Sequence, residues 1–143
     1  MRALFDVNVL IALLDAGHVH HRRASEWLAG HLEQGWASCP ITQNGCVRIM
    51  SQRGYPSALP MVEVAARLGE AAADASHEFW PDTISLLDGA RFDWQRLLGP
   101  RQVTDAYLLA LAVERNGRFV TFDQRIALDA ATGAKRRHCV VLA

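Results

Sequence analysis

Ala3-Leu4-Phe5-Asp6-Val7-Asn8-Val9-Leu10-Ile11-Ala12-Leu13-Leu14 is apolar except at Asp6 and Asn8. Residues 3–5 form a short apolar run ending at an acid, and residues 7–14 are apolar on every side apart from Asn8. A run of three suits a strand buried on both faces, and a longer run without a polar face suits a helix buried all round. A buried strand passing directly into a buried helix is the opening of an α/β unit.

Working outward, Ala16-Gly17 reads as a turn, and residues 20–32 carry Ala24, Trp27, Leu28 and Leu32 at helical spacing against a polar face of Arg22, Arg23 and Glu26. That pattern predicts an amphipathic helix. Residues 36–39 predict a strand, with Thr42 as N-cap of a helix through Val47, Ile49 and Met50 that Gly54-Tyr55-Pro56 closes. Pro60 stands at a first helical turn before Met61, Val64, Ala65, Leu68 and Ala72, an amphipathic helix that fades before His77. Glu78-Phe79-Trp80 reads as a strand stopped by Pro81, while residues 85–98 mix short helical signals with Gly89 and define no element.

Residues 102–115 are strongly helical, and Asn116-Gly117 suits a left-handed helix end. Residues 119–122 then predict a strand ending at Asp123, residues 125–130 a short helix, Gly133 a turn and residues 138–142 a last strand. Strands separated by helices predict one α/β domain over residues 1–143, with a mainly parallel sheet of four to five strands flanked by helices.

With 143 residues, half of them apolar, the chain can bury one full core. Lys and Arg number 15 against 15 Asp and Glu, so no overall field draws the protein to nucleic acid and any such site is a local patch. Cys39, Cys46 and Cys139 are odd in number, widely spaced and without a CxxC pair, which excludes a disulfide framework or zinc knuckle and fits a reducing cytoplasm. Asp6 and Asp15 interrupt the start too early for a secretory segment, and no apolar run is long enough to span a membrane.

Three acids occupy corresponding places. Asp6 ends the first strand, Asp123 ends a later one, and Asp105 lies in the first turn of a long helix. Singly, each has an ordinary explanation, since acids suit helix starts and loops after strands. In open parallel sheets, however, ligands gather beyond the carboxyl ends of the strands, so the three are expected in one pocket. Clustered carboxylates raise one another's pKa, a cost that a divalent cation removes, and all-oxygen ligands suit Mg²⁺ or Mn²⁺ rather than zinc.

The segments Leu4-Phe5-Asp6-Val7-Asn8-Val9-Leu10-Ile11, Val103-Thr104-Asp105-Ala106-Tyr107-Leu108 and Val120-Thr121-Phe122-Asp123 resemble PIN-domain motifs, those of the VapC branch in particular. Ile41-Thr42-Gln43-Asn44-Gly45-Cys46-Val47-Arg48-Ile49 is similar to that branch's second motif. The resemblance implies a Mg²⁺- or Mn²⁺-dependent endoribonuclease toxin, often a homodimer, that hydrolyses RNA phosphodiester bonds and is held inactive by a VapB-type antitoxin. By position, Asp6, Asp105 and Asp123 would be the acidic metal site, Asn8 would orient Asp6 or a metal-bound water, and Thr121 would support Asp123. Where the second motif usually has glutamate, this chain has Gln43, whose amide offers an oxygen but no negative charge. Weaker metal binding is the expectation, and an inactive or weakly active binding protein of the same fold is the alternative.

Water is the expected nucleophile, leaving 5′-phosphate and 3′-hydroxyl ends, because no histidine pair is placed to activate a ribose hydroxyl. His18, His20 and His21 form a local group, better read as a helix start than as a metal site. Trp27, Trp36 and Trp80 sit in apolar patterns and belong to core or interface, with Trp94 open. Of Arg48, Arg53, Arg101, Arg118 and Arg125, Arg48 is the expected RNA contact, and Lys135-Arg136-Arg137 is a second candidate. A phosphatase with Asp6 as nucleophile needs an acid two residues on, where Asn8 stands. A nucleotide-binding role finds no Gly-rich loop after the first strand.

Overall fold

The computed structural model describes residues 1–142. The chain runs β1 (Ala3–Phe5), α1 (Val7–Leu14), α2 (His21–His31), β2 (Trp36–Ser38), α3 (Pro40–Ser51), α4 (Met61–Ala72), β3 (His77–Phe79), α5 (Gln102–Glu114), β4 (Arg118–Thr121) and β5 (Cys139–Val141). The five strands form one sheet in the order β3-β2-β1-β4-β5, and every pairing is parallel. Both the α/β class and the parallel sheet expected from the pattern are present.

The period of two along each strand divides the core. Ala3, Phe5, Trp36 and Val120 pack on the face covered by α1 to α4, with Val9, Leu10, Met50, Val64 and Leu68. Leu4, Ala37 and Phe119 point to the other face and meet α5, whose residues from Ala106 to Ala112 are all buried. Strands covered on both faces must be apolar on both, which is why β1 reads as a continuous apolar run. Trp36 and Trp80 lie in these cores, Trp27 packs at the edge of the first, and Trp94 is 47% exposed.

Two glycines set helix and strand spacing. A Cβ at Gly45 would lie 2.8 Å from Val7 Cγ2, so α3 rests directly on α1. A Cβ at Gly117 would lie 2.7 Å from the Arg2 carbonyl and 2.6 Å from the Trp80 ring, where the chain enters β4. Asn116 supplies the left-handed residue at the end of α5, with φ 53°.

Some local expectations differ from the structure. Thr42 is not the N-cap of α3; Cys39 is, with Pro40 at the first helical position, where its missing N–H costs nothing. Thr42 stands one turn in, its hydroxyl accepting from Cys39 N at 3.0 Å and donating to the Cys39 carbonyl at 3.1 Å. Residues 125–130 form no α-helix, only a 3-10 turn at Leu128–Ala130. Six residues are too few to nucleate a helix unaided, and the Asp123 side chain turns the chain by accepting from Arg125 N. Residues 85–98 are turns with one 3-10 turn at Trp94–Arg96, fastened where Phe92 bridges Ala131 and where Asp93 N donates to the Ala130 carbonyl.

Candidate active site

From β1 the chain moves outward to β2 and β3, then returns to place β4 on the other side of β1. The direction of travel reverses between β1 and β4, so the crevice of the sheet opens beyond their carboxyl ends. Asp6 follows β1 directly, and Asp123 stands two residues after β4. The strand register of Phe5 opposite Val120 brings these two ends level.

Asp6 is buried, 8% exposed, and both its oxygens are engaged: Oδ1 accepts from Val7 N at 2.7 Å and Oδ2 from the Thr121 hydroxyl at 2.7 Å. A carboxylate has about four acceptor positions, so each oxygen of this cleft-lining residue keeps acceptor capacity to spare. The Thr121 hydroxyl also accepts from Asp123 N at 3.1 Å. Burial raises the Asp6 pKa, against these two hydrogen bonds, and the Asp123 charge adds to the rise.

The third acid comes from the other side. Asp105 is in the first turn of α5 and lines the same cleft, of about 560 Å³, as Asp6 and Asp123. Its carboxyl is pushed up to about 7, first by burial and then by the charges of Asp6 and Asp123. The crevice thus concentrates negative charge that the protein leaves unneutralised.

Among the described residues, no three His, Cys, Asp or Glu side chains form a ready-made metal cage. Oxygen donors spread around an open cleft suit a hard cation such as Mg²⁺, which keeps several waters and takes one or two carboxylates together with substrate phosphate. The donor set and its unrelieved repulsion fit such an ion.

Residues 3–131 match the model of the PIN domain family. The chain is a PIN-domain protein. It is 56% identical over 142 residues to "Ribonuclease VapC44" of Mycobacterium tuberculosis, covering 99% of this chain and 100% of that one. It is 44% identical over 135 residues to "Ribonuclease VapC39" of the same organism, covering 93% and 96%. The VapC resemblance read from the motifs therefore holds over nearly the whole chain. Among solved structures, VapBC2 from Rickettsia felis, bound to a DNA fragment from its promoter, shares the fold at 10% identity with a TM-score of 0.55, over 86% of this chain and 89% of that one.

On this PIN domain, the face of α3 turned to the cleft carries Pro40, Ile41, Asn44, Gly45, Arg48 and Ile49. Arg48 lines the cleft, but Gln43 does not: its Nε2 donates to Ser38 Oγ at 3.0 Å, and the residue lines a separate groove against α4. Position 43 lies about 140° round the helix from Arg48, on the side of α3 turned to α4. Counting back by fours from Arg48 reaches Asn44 and Pro40, the residues that are there. Asn8 lines the cleft, exposed, but the two oxygens of Asp6 are held by Val7 and Thr121 rather than by its amide.

Asp82 also lines the cleft, a fourth carboxylate that sequence reasoning missed, and burial raises its pKa. Its signal was available, since it too follows a parallel strand, three residues beyond β3. Arg101 and Thr104 complete the wall on the α5 side. Among the described residues, neither Arg48 nor Arg101 is in an ion pair, although four carboxylates share their cleft.

The other basic candidates are elsewhere. Arg118 begins β4, at the far end of the sheet, where its guanidinium lies over the Trp27 ring at 4.9 Å. Lys135-Arg136-Arg137 leads into the start of β5, which pairs with Phe119 at that same far end. The histidine group serves the start of α2: His18 Nδ1 accepts from His20 N at 3.0 Å, and His21 Nδ1 donates to the Ala12 carbonyl at 2.7 Å.

Proposed function

We propose that this chain is a divalent-metal-dependent endoribonuclease, a VapC-type toxin acting in the cytoplasm. The observation that carries the reading is the convergence of Asp6, Asp105 and Asp123 from β1, α5 and β4 into one cleft, where Asp105 is pushed up to about 7. Asp6, Asp105 and Asp123 would hold Mg²⁺ or Mn²⁺. Bound there, such an ion supplies charge neutralisation for the scissile phosphate and a lowered pKa for water.

The protein's own residues do the rest. Thr121 orients Asp6 and the start of the Asp123 loop together. Arg48 and Arg101, on opposite walls and free of carboxylate partners, contact the backbone phosphates on either side of the cut. Asn8 and Asn44 offer amide donors and acceptors at the rim. Water attacks and the 3′-oxygen leaves, giving 5′-phosphate and 3′-hydroxyl ends.

The VapC relatives and the VapBC2 neighbour support a VapB-type antitoxin as partner, and a homodimer is the working form that the motif resemblance implies. A groove of about 410 Å³ walled by Leu13, Leu14, Leu28, Leu32 and Ala71 offers such a partner an apolar seat. Among the described residues no helix is long and apolar enough to cross a membrane, and all three cysteines are free. Because Gln43 lies outside the acid cleft, its missing charge gives no ground for the inactive binding-only alternative.

The test is cleavage of a mixed structured RNA pool by purified protein with Mg²⁺, Mn²⁺ or EDTA, beside an Asp6→Asn control. Metal-dependent cutting lost in the control is expected. A folded wild-type protein that cuts nothing with either metal overturns the reading.

A further inference from the structure

Between α3 and α4 runs a second groove, of about 490 Å³, walled by Gln43, Val47, Ala65 and Gly69, and it shares Pro40 and Asn44 with the acid cleft. We propose that this groove receives the unstacked nucleobase next to the scissile phosphate, and that Gln43 selects bases carrying an exocyclic amino group; this rests on the nuclease reading above.

The two cavities divide chemically as a nucleotide does. The cleft carries four carboxylates and two guanidiniums, whereas no charged side chain lines the groove. Phosphate and metal belong in the first, and a neutral planar ring in the second. The two cavities meet at Pro40 and Asn44, which line both, so the sugar of one nucleotide can span that edge with its phosphate on one side and its base on the other. On α4, Gly69 and Ala65 present little beyond backbone, which leaves a shallow apolar wall for a ring face. Single-stranded RNA is read in this way, with bases splayed out, packed on their faces and hydrogen-bonded along their edges.

Gln43 is held for that task. Its Nε2 donates to Ser38 Oγ at 3.0 Å, and Ser38 Oγ lies 2.8 Å from His77 Nε2. The His77 ring donates an N–H to the Ala72 backbone, which leaves Nε2 to accept the one proton of Ser38; Ser38 Oγ can then only accept from Gln43, and the amide is set with its nitrogen inward. The carbonyl oxygen is left as the free edge. An acceptor at that position takes an N–H from the amino group of adenine, cytosine or guanine, whereas uracil offers only its ring N3–H, recessed between two carbonyl oxygens that the Gln43 carbonyl repels.

The experiment is end-sequencing of cuts in a random single-stranded RNA library, with metal, by wild type, Gln43→Leu and Gly69→Leu, together with KM and kcat on one cut site. A Cβ at Gly69 meets nothing within 4 Å, so Gly69→Leu keeps the fold while its side chain fills the groove. Wild type is expected to disfavour uracil at one position beside the cut, and Gln43→Leu to lose that preference at that position alone. Gly69→Leu is expected to raise KM about tenfold, the scale of one lost base-packing contact, more than it lowers kcat. Normal metal-dependent cutting with an unchanged base profile in both variants overturns the subsite and leaves the nuclease reading standing. An unchanged profile with a change of sedimentation coefficient in Gly69→Leu assigns the groove to a second copy of the chain and equally overturns it. Absence of cutting by folded wild type overturns both readings.

Discussion

The Thr121 hydroxyl donates to Asp6 Oδ2 at 2.7 Å and accepts from Asp123 N at 3.1 Å. One buried oxygen therefore ties Asp6 to Asp123, which follow the ends of neighbouring strands. Thr121→Val keeps the shape and removes both bonds. A buried carboxylate then loses a donor and a backbone N–H loses its acceptor, at a cost of about 1–3 kcal/mol. Urea unfolding is expected to report that loss, and kcat to fall roughly 100-fold as the carboxylates lose register. Thr121→Ser, which keeps the hydroxyl, is expected to recover most of both. Equal behaviour of the two variants would remove the hydroxyl from the account.

Asp105 gives the protein a pH dependence whose sign is set by its raised pKa. The carboxyl moves from an ordinary 3.8 to about 7 on folding, with burial the largest cause. The folded state therefore favours the protonated form. That contribution is fully present below about pH 4 and is lost as pH rises through about 7. Asp105→Asn cannot ionise, so it is expected to melt above wild type at pH 8 and alongside it at pH 4. Mg²⁺ is expected to raise the wild-type melting temperature at pH 8 more than at pH 5, and to do little for the variant. Calorimetry across this range checks both, and a variant less stable than wild type at pH 8 contradicts the direction.

Gln43→Glu supplies the acid that the motif resemblance leads one to expect at this position, yet the side chain there faces Ser38 and α4. The concentration of Mn²⁺ giving half-maximal cleavage is expected to stay within about twofold of wild type, because a solvent-screened charge outside the cleft adds little to binding. A tenfold tighter midpoint would bring residue 43 into the metal site after all.

The order of elements was legible because each hydrophobic pattern has its own period, and Asp6, Asp105 and Asp123 were legible because each sits at an element end that the topology turns toward one crevice. The second motif was harder. Motif resemblance singles out Gln43, but which side of α3 meets the acids depends on where the helix starts, and Thr42 looks like a cap while Cys39 is one. Asp82 was hidden for a different reason: it follows a three-residue strand and a proline, inside a region whose turns carry no periodic signal. Arg101 was one of five candidate arginines with nothing in the sequence to single it out, and the return of α5 sets it on the cleft wall.

Arg48 and Arg101 line the cleft from α3 and from the start of α5, and in the proposed nuclease they have no carboxylate to release before meeting phosphate. Arg101→Ala and Arg48→Ala are each expected to raise KM about fivefold to tenfold, leave thermal stability unchanged, and lower the slope of log affinity against log salt by roughly one. Arg118→Ala, at the far end of the sheet, is expected to leave that slope alone. An unchanged slope in the first two variants removes the phosphate contacts from the mechanism.

Gly45 links the packing of the helices to the shape of the cleft. A Cβ there would stand 2.8 Å from Val7 Cγ2 and 3.1 Å from Cγ1, and both residues line the cleft beside Asp6. Valine is rigid at χ1, so the contact is relieved chiefly by moving α3 away from α1. Gly45→Ala gains helix propensity of up to about 1 kcal/mol yet meets an overpacking cost of about 1–3 kcal/mol, so a net loss of stability is expected. The displacement also carries Asn44 and Arg48 away from the acids, so kcat/KM is expected to fall further than the unfolded fraction explains. Val7→Ala in the same chain removes the clashing methyls and is expected to restore activity to Gly45→Ala; a double variant no better than the single one would show that the spacing of α1 and α3 is not what the glycine protects.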